Sequence, residues 1–271
     1  MSPRGSAARP AWWPADIRAV GVFTVDVDGE AGVGEAAPGM ERRPMLESLA
    51  RYGPEVGVGR LIEVLAEAGV PATFFVPGRV AELHPEVVPA ILAAGHEVAA
   101  HGYRHRRPAA LGPEEEREEI ERGLAVLRAQ GAEPVGYKAP FWDPGPETLA
   151  LAAAHGLRYD ASLMDRDWPY RLSEAMVELP THWQLDDWEW LGYLPEPGLE
   201  YPLRSAAEWI AAWEHELSAR MAFGGLALFT VHPWISGRPG PAFALREWLG
   251  RWHGRAGIRW LTARDAAALV P

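Results

Sequence analysis

Residues 19–28 read AVGVFTVDVD, an apolar and partly β-branched run that ends in two aspartates and is typical of a buried strand. Similar short runs recur along the chain, separated by longer amphipathic patterns that predict helices. The predicted strands are Ala19–Asp28, Ala72–Val76, Glu97–His101, Val135–Ala139, Arg158–Ser162, Met176–Leu179, Leu226–His232 and Ile258–Leu261. Strands that alternate with helices indicate a parallel sheet, and about eight of them suffice to close a barrel.

The fold class predicted from this pattern is α/β, in the form of a TIM-like (β/α) barrel. A length of 271 residues suits one such barrel, so we predict a single domain at residues 18–271, preceded by a flexible tail at residues 1–17. Helices are predicted over Val58–Ala68, with Gly69 in the C-cap position, and over Pro113–Gln130.

Two stretches, Asp28–Gly57 and Met164–Arg204, are too long and too rich in proline, glycine and charged residues for simple turns. Long irregular connections after barrel strands usually carry function, and we predict binding loops there. The charge run Glu114–Glu121 is interpreted as a solvated helix face.

Composition excludes several classes of function. A formal net charge of -11 repels polyanions, so we predict no nucleic-acid partner and no membrane partner. Because the chain has no cysteine, a catalytic metal would have to use histidine and carboxylate ligands. Neither a signal-peptide core nor a long apolar span is visible, and the predicted location is the cytoplasm.

The end of the first predicted strand carries two acids. Strand alternation places Thr24, Asp26 and Asp28 on one face and Val25 on the other. Carboxylates at the end of an interior strand cost several kcal/mol unless a cation or hydrogen bonds compensate. The alternative is an edge acid followed by an ordinary turn acid, since Asp28 precedes a glycine.

Histidines end two other predicted strands. His101 and His105 lie four residues apart where a strand gives way to a loop or a first helical turn, and Asp26 or Asp28 could complete a metal site with them. His232 would reach the same rim and could protonate a leaving amine. The other histidines are interpreted as capping, packed or exposed residues: His84, His96, His155, His182, His215 and His253.

Six segments in order carry a family resemblance: TVDVD (24–28), HGYRH (101–105), YKAPFW (137–142), YDASLMDRDWPY (159–170), ELPTHWQLDDW (178–188) and HPWISGRP (232–239). The chain thereby resembles the NodB-like polysaccharide deacetylases. It is most similar to the branch without signal peptides that includes peptidoglycan-deacetylase-like proteins, allantoinase and cyclic-imide hydrolases. The resemblance implies a distorted barrel of seven or eight strands, the NodB homology domain.

The resemblance assigns roles to individual residues. It implies Asp26 as general base, a divalent metal, usually zinc, on Asp28, His101 and His105, and His232 as general acid. A metal lowers the pKa of water towards about 7, which makes hydroxide available to attack an amide carbonyl. An N–H of the backbone near Tyr137 would stabilise the resulting oxyanion.

Further residues of these motifs are predicted to bind substrate: Tyr137, Lys138, Pro140, Trp142, Asp160, Ser162, Trp168 and Trp183. Tryptophans stack well on sugar faces, and Trp188 and Trp234 also lie in loops expected at the mouth. The family normally has an arginine in the third motif that orients the catalytic aspartate. Lys138 stands near that position and cannot form a bidentate fork.

These observations predict a metal-dependent hydrolase of non-peptide C–N bonds, similar to polysaccharide and amino-sugar N-deacetylases. The alternative is a ring-opening hydrolase of cyclic imides or allantoin-type ureides. Two other classes stay open: an Fe(II) oxygenase, which also uses two histidines and one carboxylate, and a catalytically idle carbohydrate-binding barrel. The predicted partner is a small-molecule or oligosaccharide amide, and the resemblance implies a homo-oligomer such as a tetramer.

Overall fold

A computed structural model describes residues 9–271, and its centre is a sheet of nine strands. The strands are β1 (Ala19–Asp26), β2 (Ala72–Val76), β3 (Glu97–Ala100), β4 (Gly136–Tyr137), β5 (Tyr159–Asp160), β6 (Tyr170–Arg171), β7 (Val177–Glu178), β8 (Gly225–Val231) and β9 (Ile258–Leu261). Their order is β6-β7-β5-β4-β3-β2-β1-β8, with β9 beside β1. β6 runs antiparallel to β7, and the other pairings are parallel because helices mostly connect successive strands.

Both edges of β1 are paired. β8 pairs along almost its full length, while β9 pairs with its first half and β2 with its second half. The gap between β7 and β8 is bridged by Thr181, whose Oγ1 donates to the Leu228 carbonyl at 3.1 Å, and by pairing of Asp186 with Thr230. The sheet therefore curls into an incomplete barrel, and the predicted α/β barrel-like fold is confirmed.

Each of the eight predicted strands has a counterpart, although several are shorter than predicted. β1 ends at Asp26 because Asp28 already forms the N-cap of the following helix. β4 and β5 have two residues each. β6 was not predicted, since a strand of two residues carries no periodic signal.

The helices are α1 (Gly29–Ala36), α2 (Pro44–Tyr52), α3 (Val58–Ala68), α4 (Gly78–Leu83), α5 (Val87–Ala93), α6 (Pro113–Ala129), α7 (Thr148–Ala154), α8 (Trp188–Leu191), α9 (Ala206–Phe223), α10 (Pro233–Ser236), α11 (Pro239–Trp252) and α12 (Ala263–Ala267). Short 3₁₀ turns lie at Met40–Arg42, Pro108–Ala110, Pro140–Trp142 and Trp183–Leu185, and a π-helical turn lies at Gly53–Gly57. Across residues 9–271 none of the helices combines the length and apolar character needed to cross a bilayer.

Two helix predictions agree closely with the structure. α3 has the predicted bounds and ends at Gly69, whose φ of 65° is the left-handed conformation that glycine adopts readily. α6 ends one residue before the predicted boundary. The interpretation of its acidic run as a solvated face is wrong for Glu116 and Glu119, which are buried because the helical period turns them inward.

The prediction for the stretch 28–57 is also wrong. This stretch was predicted as an irregular loop, but α1, α2 and the π-helical turn occupy most of it. Pro44 begins α2, where its missing N–H costs nothing, and Leu46 and Ala50 form the buried face of that helix. The stretch 164–204 contains only short elements, in line with the predicted loop.

Apolar residues pack on both faces of the sheet. Between the outer face and the helices lie four tryptophans, Trp209, Trp213, Trp248 and Trp252, each fully or almost fully buried. Inside the barrel, Val20 and Val22 contact a cluster near the amino ends of the strands. Trp13 and Ile17 belong to this cluster, so the packed chain begins before residue 18, whereas residues 1–8 of the predicted tail lie outside the described residues.

Candidate metal centre and active site

The candidate site lies where the carboxyl ends of β1, β3 and β8 converge. Asp26 is the last residue of β1, His101 directly follows β3, and His232 directly follows β8. Parallel strands end at the same edge, which brings these distant positions together. A cleft of about 530 Å³ opens above them, and its lining includes Asp26, Asp28, His101, His105 and His232.

Asp28, His101 and His105 have the arrangement of a metal-binding triad. The Asp28 Oδ1 atom is 3.5 Å from His101 Nε2, and its Oδ2 atom is 3.3 Å from His105 Nε2. The three ligand atoms lie within 4.8 Å of one another and all three residues are buried. Two imidazoles and one carboxylate form a donor set suited to Zn²⁺ or a related divalent ion, with positions left open for water and substrate.

The two histidines meet through a loop and not through a helical turn. His105 adopts a left-handed conformation with φ of 60°, which is unusual for a residue other than glycine. His101 Nδ1 donates to the Lys138 carbonyl at 2.7 Å, which leaves Nε2 facing Asp28. Such a hydrogen bond fixes the tautomer and ring orientation of a metal-binding histidine.

The charge state of Asp28 also fits a cation. Burial raises the pKa of Asp28, but the charge of His105 and the other adjacent imidazoles outweigh burial and hold the pKa well below its ordinary value. Its Oδ1 atom is buried and has no hydrogen-bond partner among the described residues. A buried, ionised oxygen without a donor is a strong candidate ligand, because otherwise its desolvation would be uncompensated.

Asp26 is held from behind by a fully buried lysine. Lys138 Nζ donates to Asp26 Oδ1 at 2.8 Å, to Thr24 Oγ1 at 3.0 Å and to Thr230 Oγ1 at 3.2 Å. These bonds use all three donors of the ammonium group. The other carboxylate oxygen of Asp26 faces His101 Nε2 at 3.9 Å. Lys138 thus holds Asp26 by one hydrogen bond and is itself anchored by two threonine hydroxyls. Its side chain, predicted to bind substrate, is fully buried.

His232 is oriented by Asp187, which belongs to the motif ELPTHWQLDDW but is not among the predicted site residues. Asp187 accepts from His232 Nδ1 at 2.7 Å, from the His232 amide at 2.9 Å and from the Ser236 hydroxyl. His232 Nε2 consequently faces Asp28 Oδ2 at 3.5 Å. In the sequence, the two adjacent acids of LDDW in a tryptophan-rich loop are the signal that could identify Asp187 as a site residue.

Two carboxylates set the protonation of His232. Burial lowers the pKa of His232, but the charges of Asp186 and Asp187 outweigh burial and place the pKa well above its ordinary value. Burial raises the pKa of Asp186 to about 8, although the charge of His232 opposes this rise. A protonated imidazole aimed at the ligand cluster is suited to act as a general acid.

The backbone after β4 offers a candidate donor for an oxyanion. Lys138 N donates to the Ala100 carbonyl at 3.2 Å, and Ala139 N donates to Ser162 Oγ at 2.9 Å. Phe141, with φ of 59°, lines the cleft, and its N–H has no acceptor among the described residues. The predicted oxyanion donor near Tyr137 is therefore best represented by the Phe141 amide.

The residues predicted to bind substrate fall into two groups. Trp142 and Trp183 line the cleft and stack with ring centroids 5.2 Å apart. Trp188 and Trp234 line it too, in a T-shaped pair. The other residues predicted to bind substrate lie away from the cleft lining: Tyr137, Lys138, Pro140, Asp160, Ser162 and Trp168.

Several of these six residues make structural contacts away from the cleft. Tyr137 packs in the outer core, and Trp168 packs against Trp13 near the amino ends of the strands, opposite the cleft. Asp160 accepts from both the amide and the hydroxyl of Ser162, whose oxygen in turn accepts from Ala139 N. The motif around Asp160 therefore holds the loop that carries Phe141.

One side of the cleft is a continuous apolar wall. Val33 of α1, Leu194 and Trp234 belong to one buried cluster that joins the stretch 28–57 to the stretch 164–204. An ion pair between Arg43 and Glu196 ties the same two stretches together. The cleft is consequently bounded on this side by packed side chains.

The chain is similar to known proteins in sequence and in fold. A family model for polysaccharide deacetylase matches residues 52–159. A peptidoglycan deacetylase of Helicobacter pylori is 28% identical, with 90% of this chain and 94% of the relative covered. A crystal structure from Mycobacterium smegmatis that is assigned to the polysaccharide deacetylases is 38% identical with a TM-score of 0.91, covering 96% of this chain and 93% of that one. The Puue allantoinase structure shares the fold with a TM-score of 0.82 at 22% identity, covering 97% of this chain and 93% of that one.

Proposed function

Because the chain belongs to the polysaccharide deacetylase family, we propose that it hydrolyses an N-acyl or cyclic amide at the cleft above β1, β3 and β8. It is a hydrolase of non-peptide C–N bonds. The observation that carries the proposal is the meeting of the Asp28, His101 and His105 ligand atoms beside two further groups, Asp26 and His232, suited to proton transfer.

We assign Asp28, His101 and His105 to a divalent metal, with zinc as the expected ion. When bound, such an ion polarises the amide carbonyl and acidifies water. Asp26, held by Lys138 through Oδ1, receives the proton of the attacking water on its free oxygen.

The leaving group and the oxyanion use other residues. His232, oriented by Asp187, gives the proton at Nε2 to the departing nitrogen. The Phe141 N–H stabilises negative charge on the former carbonyl oxygen. Trp142 and Trp183 orient the substrate by stacking.

A small cyclic amide or imide is the second candidate substrate. The apolar wall around Val33 and Leu194 limits the cleft on one side, which favours a compact substrate over a long polymer lying across the site. We keep the N-acetylated sugar as the first candidate because the family match supports it.

A substrate panel with and without chelator tests the proposal. Acetate release from N-acetylglucosamine oligomers is compared with ring opening of succinimide, hydantoin and allantoin. We expect turnover on one group, lost on chelation and in His101→Ala, and lowered about 10²–10⁴-fold in Asp26→Asn. His215→Ala, on the exposed face of α9, is the matched control and should retain activity.

Three outcomes would contradict the proposal. Activity unaffected by chelator and by His101→Ala would refute the metal assignment. Oxygen consumption by the iron-loaded protein would favour an oxygenase instead. Sugar binding without turnover of any amide would favour an idle carbohydrate-binding barrel. The cytoplasmic location and the homo-oligomer stay predictions, to be checked by cell fractionation and by light scattering.

A further inference from the structure

The loop that carries His105 is anchored to one acidic side chain of α6. Glu119 Oε2 accepts from the amide of Tyr103 at 3.1 Å and from the amide of Arg104 at 2.7 Å. Glu119 is buried, although its neighbours Glu118 and Glu121 are exposed on the same helix. The carboxylate therefore binds the two backbone N–H groups immediately before the metal-ligand position.

The opposite side of the loop is fixed by α4. Gly78 N donates to the Gly102 carbonyl at 3.0 Å, and Arg79 N donates to the Tyr103 carbonyl at 2.8 Å. Gly123 of α6 lies so close that a Cβ added there would be 2.4 Å from the Gly102 oxygen. The loop is thus held between α4 and α6, and Glu119 supplies the side-chain hydrogen bonds that hold it.

The backbone conformation of His105 needs support from contacts of this kind. A residue other than glycine with φ near 60° is strained and persists only where its surroundings hold it. Hydrogen bonds to a charged group are stronger than those between neutral groups, so they can offset such strain. Without the carboxylate, the loop would relax and the imidazole of His105 would lose its alignment with Asp28.

We propose that Glu119 is a positioning residue for the metal centre. It holds the loop 102–105 in the shape that presents His105 Nε2 next to Asp28 and His101. The inference rests on the proposed function in one respect, since it takes these three residues to bind a divalent metal.

Metal affinity of the folded protein tests this role without reference to turnover. The apoprotein is titrated with Zn²⁺ against a chromophoric chelator, and with Co²⁺ while its visible absorption is recorded. Glu119→Ala removes both hydrogen bonds, and Glu119→Gln keeps an acceptor oxygen without charge. Glu118→Gln, an exposed residue of the same helix, is the matched control for the loss of one negative charge.

We expect Glu119→Ala to weaken Zn²⁺ binding about 10–100-fold, as changes to residues behind a metal ligand usually do. Glu119→Gln should weaken it by a smaller factor, and both should alter the intensity of the Co²⁺ bands because the ligand geometry changes. Glu118→Gln should leave affinity and spectrum unchanged.

Each remaining result decides against part of the proposal. Wild-type affinity and spectrum in folded Glu119→Ala would overturn the positioning role alone. If Glu119→Ala does not fold, wild-type values in Glu119→Gln would overturn it instead. A wild-type protein that binds neither Zn²⁺ nor Co²⁺ would overturn both the positioning role and the metal assignment of the proposed function.

Discussion

Replacing Lys138 with methionine would remove the cation that balances Asp26 inside the barrel. Methionine has a similar length and no branching, so it fills most of the same space without charge. The lysine side chain is fully buried and Asp26 is 2% exposed, so bulk water has little access to replace the hydrogen bond between them. Removing one partner of a buried ion pair costs about 3–5 kcal/mol, since the other charge is left uncompensated.

We therefore expect Lys138→Met to lower the free energy of unfolding by about 3–5 kcal/mol. The double variant Lys138→Met/Asp26→Asn, which removes both charges, should recover most of this loss and leave a deficit of roughly 1–2 kcal/mol from unsatisfied hydrogen-bonding groups. Urea denaturation followed by far-ultraviolet circular dichroism gives both values, with chelator present so that metal binding makes no contribution.

Two results would refute this reasoning. A loss below about 1 kcal/mol in Lys138→Met would be the value of an exposed ion pair and would mean that water reaches Asp26. A double variant no more stable than the single one would mean that the lysine acts mainly through contacts other than its ion pair with Asp26, such as that of Nζ with the Phe75 ring, whose centroid is 4.5 Å away.

Three further predictions concern the metal, the pH dependence and a close helix contact. Zn²⁺ at a hundred times its Kd should stabilise the folded wild type by about 2.7 kcal/mol and so raise its melting temperature. Calorimetry should show no such rise in His101→Ala. Burial and then the charge of Asp160 raise the pKa of Glu178 well above its ordinary value, and burial raises that of Asp160 from 3.8 to about 6. The folded state then binds more protons than the unfolded state at these two carboxyl groups, so the contribution of this pair to stability should fall as pH rises from about 4 to 6. Glu178→Gln should flatten this decline and stabilise the protein at pH 7, and an unchanged slope in urea titrations would contradict it. Gly123→Ala should lower stability by about 1–3 kcal/mol, because its Cβ would collide with the Gly102 carbonyl oxygen, and an unchanged urea midpoint would contradict that contact.

The sequence predicted those parts of the fold that local patterns encode. An apolar, partly β-branched run locates β1, and a helical period with a terminal glycine gives the bounds of α3. The convergence of Asp26, His101 and His232 followed from one rule, that parallel strands present their carboxyl ends at one edge. Local signals of this kind need no knowledge of which residues meet across the chain.

The remaining features depend on contacts between distant residues. Lys138 and Trp142 stand four positions apart, yet one is enclosed in the barrel and the other lines the cleft, since the chain turns at Phe141 with positive φ. Nothing local to Glu119 distinguishes it from exposed neighbours until α6 is packed against the loop after β3. Asp187 acquires its role only when β8 brings His232 beside it.

The stacked indoles of Trp142 and Trp183 give this protein a built-in optical reporter. Two chromophores with ring centroids 5.2 Å apart couple electronically and should produce an exciton couplet. Among the other closely spaced indoles, Trp209, Trp213 and Trp248 lie in the outer core, shielded from solvent and from the cleft. A molecule entering the cleft would perturb the first couplet and leave the second as an internal reference, so occupancy can be followed without a label.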